Sequence, residues 1–249
     1  MTAQPYYADD MVSLYLADCR DETAWLAADV LVTDPPYGIG WSMPALEPAS
    51  GWSHRSQPTA AHDGIEGDQD TALRDAALSM WLPRPGAVFG SWRAPFPAPT
   101  PGTVLVWKKP ADSGLWSGHT GFRRDTEAIF LIGKWPRRPD RWSSVLETRG
   151  THTAYTRGSG HPHAKPVALM CALIHRCPPG VIADPFAGSG STLVAAKMMG
   201  RRAIGVEVEE RYAERAARRL TQDPLPFHAP PDPRPGPAEP DEPMWLDAP

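Results

Sequence analysis

Two short stretches of this chain hold residue types that could do chemistry. The first is Asp34-Pro35-Pro36-Tyr37-Gly38, directly after the apolar run Leu31-Val32-Thr33. Consecutive prolines hold the backbone extended and remove two N–H donors. What remains is a cluster of acceptors, the Asp34 carboxylate and the carbonyl oxygens, with the Tyr37 ring beside them. Acceptors next to a flat ring suit a planar group that carries an amino function. The second stretch is Asp184-Pro185-Phe186-Ala187-Gly188-Ser189-Gly190, between the apolar Val181–Ala183 and a helical segment, Thr192 to Met199. A strand, a glycine turn and a helix let backbone approach a ligand closely and present the N–H groups of a helix start, which is a nucleotide-type site. A dinucleotide turn would want a third glycine where Leu193 stands, so that reading is weakened, and an ordinary tight turn is the bland alternative. Arg202 to Glu207 is a further apolar strand ending in a carboxylate. In a right-handed βαβ unit Glu207 falls beside the glycine turn, where it can accept both hydroxyls of a ribose.

The elements that must position these groups alternate strand and helix. Met11 to Ala17 alternates apolar and polar residues and predicts a strand, followed by a short helix over Asp21 to Ala28. This βαβ pattern puts Asp18 and Asp34 at one sheet edge, although Asp18 could simply cap the helix. Asp70 to Trp81 predicts a helix. Ala87 to Trp92, Val104 to Trp107 and Glu127 to Ile132 predict strands, the last an antiparallel edge. Val167 to His175 predicts a helix begun at Pro166, and Glu209 to Leu220 a final one. The arginines near its end, Arg215, Arg218 and Arg219, read as a solvated face. The fold class is therefore α/β, a mostly parallel doubly wound sheet with an antiparallel edge strand.

Composition bounds the rest. The 249 residues suffice for one substantial α/β domain, and no apolar run is long enough to cross a membrane. Cys19, Cys171 and Cys177 are widely spaced and form no Cys-x-x-Cys pair, so neither a disulfide framework nor a metal site is expected. The net charge of −4 hides an uneven distribution: residues 84–165 hold 13 Lys and Arg against 5 Asp and Glu, while residues 1–83 hold 3 against 13. A basic middle third suits a phosphate-contacting face, with Lys108, Lys109, Arg123, Arg124, Arg137, Arg138, Arg141 and Arg157 as the candidates. Trp135, Trp142, Phe122 and Tyr155 interleave with them, a pattern suited to phosphates plus unstacked bases. A surface loop with packed tryptophans is the alternative. Residues 38–67 form a long loop without periodicity, and a loop of that length is usually functional or disordered. Residues 221–249 are dominated by Pro, Asp and Glu and read as a disordered tail.

Asp34-Pro35-Pro36-Tyr37 taken with Asp184 to Gly190 resembles the amino-group DNA methyltransferases that use S-adenosylmethionine (SAM). The catalytic motif precedes the cofactor motif, an order that resembles the β group of that family, and His161-Pro162-His163-Ala164-Lys165-Pro166 matches its motif ahead of the cofactor strand. The resemblance covers roughly residues 11 to 220. It implies a Rossmann-like methyltransferase domain over 1–220, with inserted DNA-recognition loops within 38–67 and 110–160. It also implies catalysis by Asp34, Pro35, Pro36 and Tyr37, and a SAM site drawn from Asp18, Lys165, Asp184, Phe186, Gly188, Gly190 and Glu207. The partner it implies is duplex DNA, with no metal and no membrane, for a cytoplasmic monomer or homodimer of the kind found in restriction–modification. The leading reading is adenine N6. Cytosine N4, an RNA substrate and a non-catalytic DNA-binding relative stay open. Cytosine C5 chemistry is disfavoured, because none of the three cysteines follows a proline as its thiol nucleophile would.

Overall fold

The computed structural model describes residues 4–41, 64–110, 121–137, 139–148 and 164–222. Much of both expected recognition loops, with Arg138 and Arg157, and the tail from residue 223 lie outside the described residues. The strands are β1 Tyr7–Ala8, β2 Val12–Leu16, β3 Val30–Thr33, β4 Gly86–Gly90, β5 Thr103–Lys108, β6 Thr126–Ile132, β7 Val145–Glu147, β8 Ile182–Asp184 and β9 Ala203–Glu207. The helices are α1 Ala72–Trp81, α2 Val167–Arg176, α3 Ser191–Met198 and α4 Glu210–Thr221. The helix expected over Asp21 to Ala28 is only a 3-10 turn, Ala24–Ala27. Pro166 caps α2 rather than opening its first turn.

The strands form one sheet in the order β1-β2-β9-β8-β3-β4-β6-β5-β7. From β2 to β4 all neighbours are parallel. Such strands are covered on both faces and read as continuous apolar runs. All four residues of β3 and all five of β4 are buried accordingly. The pleat sorts them. Val30, Val32, Ala87 and Phe89 join the cluster that holds Leu169 and Leu173 of α2 and Leu193 of α3. Leu31 and Val88 join the opposite cluster, with Leu78 and Trp81 of α1 and Trp25 of the 3-10 turn. Each such buried side chain contributes roughly 1.5–3 kcal/mol.

The antiparallel strand expected at Glu127–Ile132 is present, but it lies inside the sheet, between β4 and β5. The antiparallel edge is β1, which pairs with β2. Two features of this topology position the site. From β8 the chain leaves through α3 toward β9, and from β3 it leaves through α1 toward β4 on the other side. The crevice between β8 and β3 is thus the switch point at which open α/β sheets bind ligands. Because β6 runs backwards, its first residues reach the same sheet edge as the ends of the parallel strands, with Glu127 opposite Trp107.

Candidate active site

The two motifs meet at that crevice. Thr33, the last residue of β3, donates its hydroxyl to Asp184 Oδ1 at 2.7 Å. One side-chain bond therefore ties the strand that ends in Asp34 to the strand that ends in the glycine turn.

On the β3 side, Pro35 and Pro36 are buried and Asp34 keeps 24% of its side chain open. Its two oxygens are held differently. Oδ1 accepts the Tyr37 hydroxyl at 2.7 Å. Oδ2 faces the Lys165 ammonium at 2.8 Å. Lys165 arrives from the segment before α2, is itself buried, and also donates to the Tyr37 oxygen at 3.0 Å. Its ammonium lies 5.0 Å from the Phe89 ring centre and 5.4 Å from that of Tyr37, within cation–π range. Lys165 was expected to hold a cofactor, and the fold sets it against the catalytic motif instead.

Glu127, which no motif in the sequence marks, completes the group. Its Oε2 lies 3.1 Å from Lys165 and its Oε1 2.6 Å from Lys109. Two carboxylates, two ammoniums and a phenol thus form one neutral cluster where β3 and β5 end and β6 begins. Burial, the largest influence, and the neighbouring Glu127 push the Asp34 carboxyl above its ordinary value despite Lys165. The Lys165 and Lys109 ammoniums outweigh burial at Glu127 and hold it at about 2. Burial and the two carboxylates push the Tyr37 hydroxyl well up, so it stays protonated as a donor.

On the β8 side, Asp184 is 2% exposed. Desolvation raises its carboxyl to about 7, against hydrogen bonds from Thr192, Thr33 and the Phe186 N–H. Gly188 and Gly190 both take positive φ, +52° and +81°. Glu207 accepts the Gly188 N–H at 2.6 Å and the Glu209 N–H at 2.9 Å, and burial raises it. Four N–H groups of the turn are spent internally: Phe186 on Asp184, Ala187 on Val206, Gly188 on Glu207 and Gly190 on Ala187. The nearby cation is Arg219, which donates to the Ser189 carbonyl at 2.6 Å and to the hydroxyls of Ser189 and Ser191. Arg219 is therefore not part of a solvated helix face. With the carboxylates of Asp184 and Glu207 lining it, the crevice suits a cationic ligand better than a phosphate. Nothing lies within 4 Å of a side chain built on Gly188, so backbone there opens onto free space.

The remaining candidates are distributed unevenly. Asp18 lies at the end of β2 beside Glu207, but its carboxylate is gripped by Arg20, whose Nε lies 2.9 Å from Oδ1 and which holds it below its ordinary value. Lys108 pairs with Glu147 and Arg123 with Asp125, and both lie with Arg124 at the active edge. Lys109 is committed to Glu127 and is no free phosphate contact. Arg137 and Arg141 are not brought to this edge: the segment after β6 turns away at the opposite end, where the Lys134 N–H donates to the Pro83 carbonyl ahead of β4. The three cysteines are buried, and burial pushes the Cys19 thiol up to about 12 and that of Cys171 to about 11, which disfavours either as a thiolate nucleophile. Among the described residues no helix is long and apolar enough to cross a membrane, and no group of three metal-ligating side chains converges.

Residues 100–218 match the family model described as DNA methylase. The type II methyltransferase M.ScaI of Streptomyces caespitosus is 37% identical over 91 residues, covering 36% of this chain and 29% of that protein. The chain spans 29%, 44% and 61% of the length of M.ScaI and two further curated relatives, the putative methylase YubD of Escherichia coli and M.SmaI of Serratia marcescens. The crystal structure of the M1.HpyAVI–SAM complex shares the fold with a TM-score of 0.55 and 21% identity, over 84% of this chain and 100% of that one. The cytosine-N4-specific PvuII DNA methyltransferase shares it with a TM-score of 0.56 and 14% identity, over 89% and 90%.

Proposed function

We propose that this chain, whose residues 100–218 match the family model described as DNA methylase, is an amino-group DNA methyltransferase that transfers the methyl group of SAM to adenine N6 in duplex DNA. The observation that carries the reading is the Thr33–Asp184 bond, which sets an acceptor-rich amino-group site against a carboxylate-lined crevice at one switch point. SAM supplies a methyl group activated by its sulfonium. Asp184 and Glu207 are the groups that would hold it, with backbone at Gly188 giving close approach and Asp18 at the neighbouring strand end.

The chain's own residues then do the following. An exocyclic amino nitrogen is a poor nucleophile because its lone pair is delocalised into the ring. Asp34 accepts one of its N–H groups and the carbonyl of Pro35 the other, which favours a more tetrahedral nitrogen. Tyr37 presents its ring for stacking on the base. Positioning of this kind supplies much of the rate, and the Asp34 charge stabilises the positive charge that develops on nitrogen. The target atom is inaccessible inside a duplex, so the base must be flipped out. Arg124, Lys108 and Arg123 at the active edge would meet the backbone around it, and Phe122, 79% exposed, stands beside them as a ring for an unstacked base.

The Asp-Pro-Pro-Tyr form resembles adenine enzymes more often than cytosine ones, which is the ground for N6. Cytosine N4 offers the same amino group to the same acceptors. The reading is tested by incubating the protein with methyl-labelled SAM and unmethylated duplex DNA. Label is expected in DNA, and Asp34→Ala is expected to abolish it while SAM still binds. Binding of SAM without transfer to any DNA by the unaltered protein would refute it.

A further inference from the structure

The methyl-transfer reading needs one proton acceptor, yet the site holds two carboxylates. The N–CH₃ bond forms as the S–CH₃ bond breaks with its electron pair going to sulfur. The positive charge passes to the amino nitrogen, whose proton must then go to a base. Asp34 and Glu127 both touch the Tyr37 hydroxyl, at 2.7 and 3.4 Å, and both touch Lys165, at 2.8 and 3.1 Å. They differ in what else they hold. Glu127 has a second ammonium, Lys109, at 2.6 Å, whereas Asp34 is the more open to the crevice, 24% against 16% of the side chain.

We propose that Glu127 is a positioning residue of the reaction, which shares the Lys165 ammonium with Asp34 and so leaves Asp34 basic enough to take the amino proton. Lys165 alone on Asp34 would make a tight ion pair, and an ion-paired carboxylate is a weak base. By drawing half of that ammonium away, and by placing its own negative charge close by, Glu127 weakens the pairing. Lys109 keeps Glu127 itself ionised, so the proton has one destination rather than two. Unlike environments that push two carboxylates apart in acidity mark which is the acid–base group and which the fixed charge. The charged groups facing Asp34 from the surrounding elements are Lys165, Glu127, Lys109 through Glu127, and Asp184 across the crevice. The phenol of Tyr37 orients one oxygen.

This assignment rests on the methyl-transfer reading, but its first test does not require turnover. The full-length protein is prepared with carboxyl-¹³C aspartate, and the Asp34 resonance, identified by its loss in Asp34→Asn, is followed against pH. Glu127→Gln is expected to lower the Asp34 midpoint. Lys109→Met is expected to raise it, because a cation is lost and Lys165 is drawn toward Glu127. Opposite movements cannot come from general loosening of the fold. Single-turnover transfer is then read in the same proteins. Glu127→Gln is expected to slow it by about tenfold or more, a general-base-sized effect, with SAM affinity unchanged and the acid limb of the rate moved to lower pH. Glu127→Asp should recover part of the rate. An Asp34 midpoint that moves in neither variant, or moves the same way in both, overturns the assignment even if wild-type protein methylates DNA. Expected NMR shifts without transfer in the wild type would instead sink the methyl-transfer reading and, with it, the catalytic meaning of Glu127.

Discussion

Asp184 ties folding, pH and cofactor uptake together, and the linkage can be worked from its surroundings. Its carboxyl is 2% exposed and raised from 3.8 to about 7, chiefly by desolvation. Below pH 3.8 the group is protonated both folded and unfolded and has no effect. Between 3.8 and 7 the unfolded chain gives up this proton while the folded protein keeps it, so the folded state binds more protons and stability falls as pH rises. Above 7 both forms are ionised and the loss is complete. At about 1.4 kcal/mol per tenfold in acidity, the loss is about 4 kcal/mol. Glu127, held at about 2, works in the other direction and at lower pH, where stability is lost as it protonates. Glu207 and Asp34 are raised and add to the slope, so the test is a difference. Asp184→Asn keeps an oxygen to accept from Thr33 and from Phe186 but has no proton to hold. Urea unfolding of both proteins at pH 4.5 and at pH 7.5 should show the wild type losing several kcal/mol more than the variant. The same group should report on the ligand. A cation arriving beside Asp184 favours its ionised form. SAM binding near pH 6 should therefore release close to one proton, read as a dependence of the calorimetric heat on the ionisation enthalpy of the buffer. Parallel pH profiles for the two proteins, or a heat of binding independent of buffer, would refute the reasoning.

Other perturbations follow from particular contacts. Gly190 has φ +81°, and a Cβ there would lie 2.8 Å from the Ala216 Cβ. Gly190→Ala should cost about 1–2 kcal/mol in backbone strain and roughly 1–3 kcal/mol more in crowding of α4, measured by denaturant unfolding. Arg219→Met leaves the Ser189 carbonyl without its donor and should cost about 1–3 kcal/mol together with weaker SAM binding. Arg218→Met, which removes only an exposed pair with Glu214, should cost no more than about 1 kcal/mol and leave SAM binding alone. If Arg124 meets a DNA phosphate, Arg124→Ala should flatten the plot of log K against log salt by about 0.9. An unchanged slope in a fluorescence-anisotropy titration would remove Arg124 from the interface.

The sequence was most readable where apolar runs end in residues with one structural use. β3, β8 and β9 stand within a residue or two of their expected limits, because short apolar runs that end in a carboxylate, followed by Pro in the first two, leave little freedom. The pairing of the two motifs followed from the same pattern. What escaped depended on contacts between distant segments. Glu127 begins a strand that looks like an edge, and a carboxylate at an edge reads as solvated. Only the insertion of β6 between β4 and β5 turns it inward. A signal was present, in that Lys108 and Lys109 close the neighbouring strand with opposite charge. Lys165 was assigned by motif, and motif order cannot say which of two adjoining pockets a lysine enters. Asp68 went unnoticed for a similar reason. It accepts the N–H groups of Gly38 and Trp41 at 2.8 and 2.7 Å, so a carboxylate some thirty residues on fixes the backbone that follows Tyr37. β1 and β7, with two and three residues, are too short to carry a periodic signal.

The most direct measurement is the identity of the methylated nucleoside. Protein, methyl-labelled SAM and unmethylated mixed-sequence duplex DNA are incubated together, and the DNA is digested to nucleosides and separated. Label in N6-methyldeoxyadenosine, absent with Asp34→Ala, is the expected result. Label in N4-methyldeoxycytidine would keep the site and overturn the base, and DNA without label under conditions where SAM binds would contradict the proposed function itself.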